Sequence, residues 1–328
     1  MRKFFALCAA TACLLAGAPV AHAQDSQTAV GRYPSKPVRI VVAYAAGQGT
    51  DIVTRYITDL MSKDLGEPFV VENRPGAGGN LGSELVARAP ADGYTLTMGT
   101  NATHVLNQFL YSKIPFDAEK DFEPIGLVGA FSMVMAVNTS APFTSVSDVL
   151  GAARRSTGGA DIAMPSTTAR LVVELLKERA QTPLFGVPYK GSGGAITDVI
   201  GGQLPIIVDT PTALRPHLAA GKLRAVGVTS AQPSNLVPGV VPIAAQGVDG
   251  FEVVAWNALY APKGTPPAVI AALSASLNKA LARPETRQKL LDLGFEPAGG
   301  SPEQLAEFAQ VERKKWGPLI EAAGIRAD

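Results

Sequence analysis

The chain has 328 residues, 47% hydrophobic and 17% charged, with 33 glycines, 25 prolines and a formal charge of +1. That balance excludes a disordered or low-complexity chain, and the length suits two compact domains better than one. A near-neutral charge without a basic stripe makes a poor nucleic-acid binder, since that affinity rests on neutralising phosphates, and no nucleic-acid partner is expected.

Residues 1–23 read as a secretory signal peptide. Arg2 and Lys3 form a basic start, Phe4 to Ala18 an apolar stretch too short to span a bilayer comfortably, and Ala21-His22-Ala23 a small-residue cleavage site. Cleavage after Ala23 removes both cysteines, Cys8 and Cys13, and turns the net charge to −1. The expected product is an exported, periplasmic monomer without thiol or disulfide. Residues 24–32 are polar and aperiodic, a flexible lead-in.

From there strand and helix signals alternate. Val38 to Tyr44 is a β-branched apolar run, as in a strand buried on both faces. Thr50 and Asp51 then offer a cap for a helix whose apolar face is Ile52, Val53, Tyr56, Ile57, Leu60 and Met61. Phe69 to Val71 and Tyr94 to Met98 read as strands, with Leu81 to Ala89 as the helix between them. Further on, helices are predicted over Ser145 to Arg155, Ala169 to Ala180, Ile196 to Ile200 and Thr212 to Ala220. The strands predicted among them are Asp161 to Met164, Leu184 to Val187, Leu204 to Val208 and Leu223 to Val228. This rhythm implies βαβ units and mostly parallel sheets. The C-terminal part reads as helical: Ala268 to Leu281, a helix from Pro284 to near Gly294, and a last helix opened by a capping box at Ser301-Pro302-Glu303-Gln304. Gly317-Pro318 is expected to kink or break that last helix.

Two extended apolar stretches, Phe122 to Asn138 and Phe251 to Pro262, read as paired crossovers around an inserted central block. The fold expected is α/β and two-lobed like a flytrap, each lobe a mostly parallel sheet flanked by helices. Lobe 1 is expected over 33–130 plus 255–328 and lobe 2 over 131–254, joined by the two crossover strands.

Catalytic motifs are missing. Past the leader the histidines are His104 and His217, far apart, with no cysteine and no ligand spacing for a transition metal. Ser192 lacks the first glycine of a nucleophile elbow, and Leu81 stands where a dinucleotide fingerprint needs glycine. No cofactor, metal or catalytic residue is expected. What recurs instead is a strand-to-helix turn rich in glycine and hydroxyls: residues 45–51, 73–80, 99–104, 165–169 and 209–212. Such turns gather unpaired N–H groups and the positive end of a helix dipole, which suits an anion. Any one of these hydroxyls is most simply a helix cap. Five loops together point to a ligand outside the strands' carboxyl ends. Asp209 is most simply a cap too, but it has the chemistry to orient loop N–H groups or to meet a ligand amine.

The run Tyr33-Pro34-Ser35-Lys36-Pro37-Val38-Arg39 followed by residues 41–51 resembles the opening of the Bug/TctC family, the extracytoplasmic solute-binding receptors of tripartite tricarboxylate transporters. Residues 71–80 (VENRPGAGGN), 92–96 (DGYTL), 188–191 (PYKG), 219–225 (AAGKLRA) and 261–266 (APKGTP) continue the resemblance in order. It implies two α/β lobes closing on a small carboxylated solute: a di- or tricarboxylate, an aromatic acid or an amino acid. The solute's carboxylate would be held by loop backbone, hydroxyls and water, and the closed protein would deliver it to membrane permease subunits. Carried onto this chain, the ligand-binding residues are Gly47, Gly49, Thr50, Asp51, Thr100, Asn101, Thr103, Ser166, Thr167, Thr168 and Asp209. The first loop departs from the family pattern: Ala43-Tyr44-Ala45-Ala46-Gly47-Gln48 stands where Pro-Phe-Pro-Pro-Gly-Gly is usual. Two rival readings share the sequence evidence in part. One is a receptor signalling to a membrane sensor, and the other is an exported hydrolase for which no nucleophile and base are found.

Overall fold

The computed structural model describes residues 33–327. The signal peptide, its cleavage after Ala23 and the lead-in at 24–32 lie outside the described residues. Two sheets carry the architecture. In the first, β1 (Val38–Val42) lies between β2 (Phe69–Asn73) and β3 (Thr95–Thr100), all parallel. β10 (Val254–Pro262), β4 (Phe122–Ser132) and β11 (Glu296–Pro297) extend it antiparallel, giving the order β11-β4-β10-β3-β1-β2. The second has the order β7-β6-β8-β5-β9, built from β5 (Val134–Asn138), β6 (Ala160–Met164), β7 (Leu184–Pro188), β8 (Ile206–Asp209) and β9 (Leu223–Val228). Here β7, β6 and β8 are parallel, and β5 runs antiparallel to β8 and β9.

The sheets are thus more mixed than an alternating pattern predicts. The parallel part of each is a three-strand βαβ core. The antiparallel strands arise where the chain passes between the sheets, since a strand entering from the other lobe has no crossover helix to set its direction. β4 reaches β5 through Met133 alone, and the return runs from Val228 to β10. Thr229 holds both passages together. It donates its N–H to Met133 O (3.0 Å) and its hydroxyl to Val253 O (2.5 Å), and it accepts Met133 N–H on Oγ1 (2.8 Å) and Val253 N–H on its carbonyl (2.8 Å).

Helices cover the sheets because their apolar stripes must be buried. α1 (Gly49–Leu65), α2 (Asn80–Ala87) and the short α3 (Asn107–Leu110) pack with the first sheet. α4 (Val146–Arg155), α5 (Thr167–Ala180), α6 (Ser192–Ile200) and α7 (Pro211–Ala219) belong to the second. α8 (Pro267–Leu281), α9 (Pro284–Asp292) and α10 (Pro302–Ala322) return to the first. Val38, Ile40, Val41 and Val42 of β1 are fully buried, each stabilising the core by roughly 1.5–3 kcal/mol relative to exposure.

Two local expectations need correction. α1 begins at Gly49 with Gln48 as its N-cap, so Thr50 and Asp51 lie inside the first turn instead of preceding it. α10 does not break at Gly317-Pro318 but runs through to Ala322. Trp316, Gly317 and Ile320 are buried, and Gly317 lies close against the Phe109 ring, so tertiary packing holds the turn despite the missing N–H. The capping box at Ser301 and Gln304 is present as read.

Candidate functional site

Three helix N-termini and one strand end meet between the sheets. α1 follows β1, α5 follows β6, and α7 follows β8, so each presents unpaired N–H groups at its strand's carboxyl end. β3 instead runs straight into a single π-helical turn, Ala102–Leu106. Such turns are rare, and here it places Thr100 and Asn101 at the same level as the three helix starts.

These ends enclose a cavity of about 30 Å³, room for one or two waters. Its walls are Gln48, Gly49 and Thr50 at the start of α1, Thr100 and Asn101 at the end of β3, Ser166 and Thr168 at the start of α5, and Asp209 and Thr210 between β8 and α7, with Tyr44 beside them. Phe131, Met133, Ala255 and Asn257 from the crossover segments complete the lining. Tyr44, Gln48 and Ser166 also border a larger open space of about 600 Å³, walled by residues 75–79, Tyr111, Arg170 and Tyr189.

The two sides touch across this cavity. Gln48 Nε2 donates to Pro165 O (3.3 Å) while its Oε1 accepts Ala45 N–H (3.0 Å). Thr168 donates to Asn101 Oδ1 (3.3 Å). A β-carbon on Gly49 would lie only 2.8 Å from Thr210 Oγ1, so a glycine is what this close approach allows.

Of the sequence-predicted residues, the cavity brings together Gly49, Thr50, Thr100, Asn101, Ser166, Thr168 and Asp209. Four fall elsewhere. Gly47 is exposed, and Thr167 borders the larger space. Thr103 supports the β3 end: its Oγ1 accepts Thr100 N–H (3.1 Å) and lies 2.9 Å from His104 Nδ1. Asp51 ties the first loop by accepting from Gly47 N–H (2.9 Å), Asn73 Nδ2 (2.9 Å) and Arg55 Nε (3.0 Å). Burial opposes its charge, but those donors outweigh burial and hold the carboxyl below its usual range. A helix-start aspartate that is fully engaged with its own loop is a scaffold part.

Ser166 and Thr210 each cap a helix, accepting the N–H of Ala169 (3.2 Å) and Ala213 (3.2 Å). Tyr44 shares a hydrogen bond with Thr100 Oγ1 (2.8 Å), and burial pushes its phenol up to about 12, so it stays neutral. Asp209 is not the cap. Its Oδ1 accepts Thr210 N–H (2.7 Å), and burial pushes the carboxyl up to about 6 against the opposing hydrogen bonds of the Ser192 hydroxyl and of Thr210.

Sequence reasoning missed Asn257. It is fully buried in an apolar strand, VAWNALYAP, and both its side-chain Nδ2 and Oδ1 lack partners. A register shift of β10 against β4 falls at Asn257/Ala258, and such bulges re-aim a side chain. An isolated amide within that run was the available signal.

No lysine or arginine lines the cavity. Among the described residues no group of three or more His, Cys, Asp or Glu is placed to hold a metal ion, and no helix is long and apolar enough to cross a membrane.

The profile of the tripartite tricarboxylate transporter family receptor, TctC, matches residues 53–325. The chain belongs to this family. A UPF0065 protein from the tcbD-tcbE intergenic region of Pseudomonas sp. strain P51 is 37% identical over 312 residues, 94% of this chain and 93% of that protein. The solved structure of R. palustris Rpa4515 with adipate has a TM-score of 0.87 at 32% identity, covering 90% of this chain and 99% of that one. MatC from Rhodopseudomonas palustris with bound malate has a TM-score of 0.82 at 32% identity, covering 88% and 100%. The chain is therefore a TctC/Bug-type periplasmic solute-binding protein with the two-lobed fold of that type, a receptor family and not an enzyme family.

Proposed function

We propose that this TctC receptor captures a small carboxylated solute between its lobes and delivers it to the permease subunits of a tripartite tricarboxylate transporter. The observation that carries the reading is the convergence of α1, α5 and α7 N-termini, with the hydroxyls of Thr50, Thr100, Ser166 and Thr168, on one cavity without a cation. Oriented N–H groups and hydroxyls favour negative charge there without a salt bridge. Adipate and malate in two relatives of this fold support the ligand class. A charge-assisted hydrogen bond contributes roughly 1.5–3 kcal/mol, so several are needed against the cost of ordering a solute.

In this reading lobe 1 comprises residues 33–130 and 255–328, and lobe 2 comprises 131–254. A space of about 30 Å³ is too small for a dicarboxylate, so the lobes part to admit one and close around it. Titration calorimetry with dicarboxylates, tricarboxylates, aromatic acids and amino acids tests this. Binding of at least one, weakened about tenfold or more by Thr100→Val with Ser166→Ala, supports the reading. If no carboxylate binds, or the double variant binds its solute unchanged, the site is elsewhere.

A further inference from the structure

This inference rests on the carboxylate-capture reading and concerns how one donor of the site is made. Thr100 ends β3 in the cavity wall, and its hydroxyl can either donate or accept. A carboxylate only accepts, so the hydroxyl serves a solute only when its proton points into the cavity. The hydrogen bonds around Thr100 decide where that proton goes.

Thr103 has no room for it. The His104 ring is buried and its Nε2 has no partner. A buried N–H without a partner is worse tolerated than an acceptor without one, which assigns the neutral ring's proton to Nδ1, 2.9 Å from Thr103 Oγ1. Thr103 Oγ1 then accepts from His104 and from Thr100 N–H (3.1 Å), which fills both its lone pairs, and its own proton goes to Thr100 O (3.4 Å). The Thr100 hydroxyl is left with Tyr44 Oη at 2.8 Å on one side and the cavity on the other.

Thr100 Oγ1 already accepts Thr103 N–H (3.3 Å). A proton donated by Tyr44 fills its second lone pair, and the Thr100 proton is then free only for the cavity. With a carboxylate present, both hydroxyls donate in the same direction, and hydrogen bonds in such a chain strengthen one another. We propose that Tyr44 is a positioning residue for solute binding: its phenol donates to Thr100 Oγ1 and makes the Thr100 hydroxyl a donor aimed at the carboxylate. Phenylalanine, usual at this place in the family's first loop, keeps the ring but has no hydroxyl to do this.

Titration calorimetry at pH 7.5 on the mature protein with malate, adipate, citrate, benzoate and glutamate provides the test, read on whichever binds wild type tightest. Tyr44→Phe is expected to weaken that affinity about three- to tenfold, the worth of one ordinary hydrogen bond. In a Thr100→Val background the same change should do nothing. In a Thr100→Ser background, where the hydroxyl is kept, the loss should return. Lost packing or a direct contact of Tyr44 with the solute would instead give the same loss in every background. If Tyr44→Phe binds as wild type does, or its loss persists with Thr100→Val, the positioning role is wrong while carboxylate capture stands. If none of the five carboxylates binds wild type, the underlying reading fails and this one with it. Should Thr100→Val not fold, Thr100→Ala takes its place in the comparison.

Discussion

Asp209 and His104 are both buried and shifted, but they pull the stability of the empty protein in opposite directions. Asp209 has an ordinary carboxyl value of 3.8 in the unfolded chain and about 6 in the fold, so between those values the folded state binds the extra proton. Its penalty is absent below that window and full above it, about 3 kcal/mol at pH 8. Asp209→Asn should therefore raise the melting temperature of solute-free protein at pH 8 and do little at pH 4. Unchanged melting at pH 8 would mean that a bound water or proton already relieves the group. His104 works the other way. Burial, with Arg313 nearby, drives it from 6.5 down to about 3, and it stacks on Tyr260 at 4.0 Å. Its neutral form favours the fold above pH 6.5, and that contribution is lost as pH falls toward 3. His104→Phe keeps the stacking, so denaturation followed by circular dichroism from pH 6.5 to 3 should shift to lower pH. Thr103 would lose its contact to the ring, which sets a modest cost at neutral pH.

Individual elements show where sequence reading succeeds. The apolar faces, the caps at Ser166 and Ser301 and the glycine-rich strand ends are local patterns, and local patterns are legible. The floor of the cavity is not. Phe131, Met133, Ala255 and Asn257 come from two crossover segments more than a hundred residues apart, and nothing local in an apolar strand says which lobe faces which. The π-helical turn after Thr100 is equally invisible, because all five of its residues, Ala102 to Leu106, are buried and no local spacing in them marks a π turn. Gln48 was legible as a departure from the family's loop, but its role was not. Its amide bridges Ala45 and Pro165. Gln48→Gly should weaken solute affinity by roughly two- to tenfold in calorimetry, the worth of one ordinary hydrogen bond that forms only on closing. Pro318 sits in an exposed position within α10. Pro318→Ala restores a backbone donor there and should raise the unfolding free energy by about 1–3 kcal/mol in urea titrations. A decrease would mean that the proline shapes a bend that packing needs.

At the scale of the whole molecule, the contact between the two sides extends beyond the cavity. Thr212 donates to Leu293 O (2.5 Å) and Arg215 to Leu291 O (3.3 Å), so α7 is also fastened to the end of α9. In the proposed cycle these bonds break when the lobes part. Small-angle scattering should then give a larger radius of gyration for solute-free protein than for protein saturated with whichever carboxylate binds. Equal radii would mean that the lobes do not move.

The bonds that Thr229 makes to both Met133 and Val253 bear on that motion. Two strands crossing between bodies could slide past one another, giving a shear. With a single buried side chain clasping both, sliding one against the other breaks those bonds, so the proposed opening is expected to turn about that point, as a door turns on one pin.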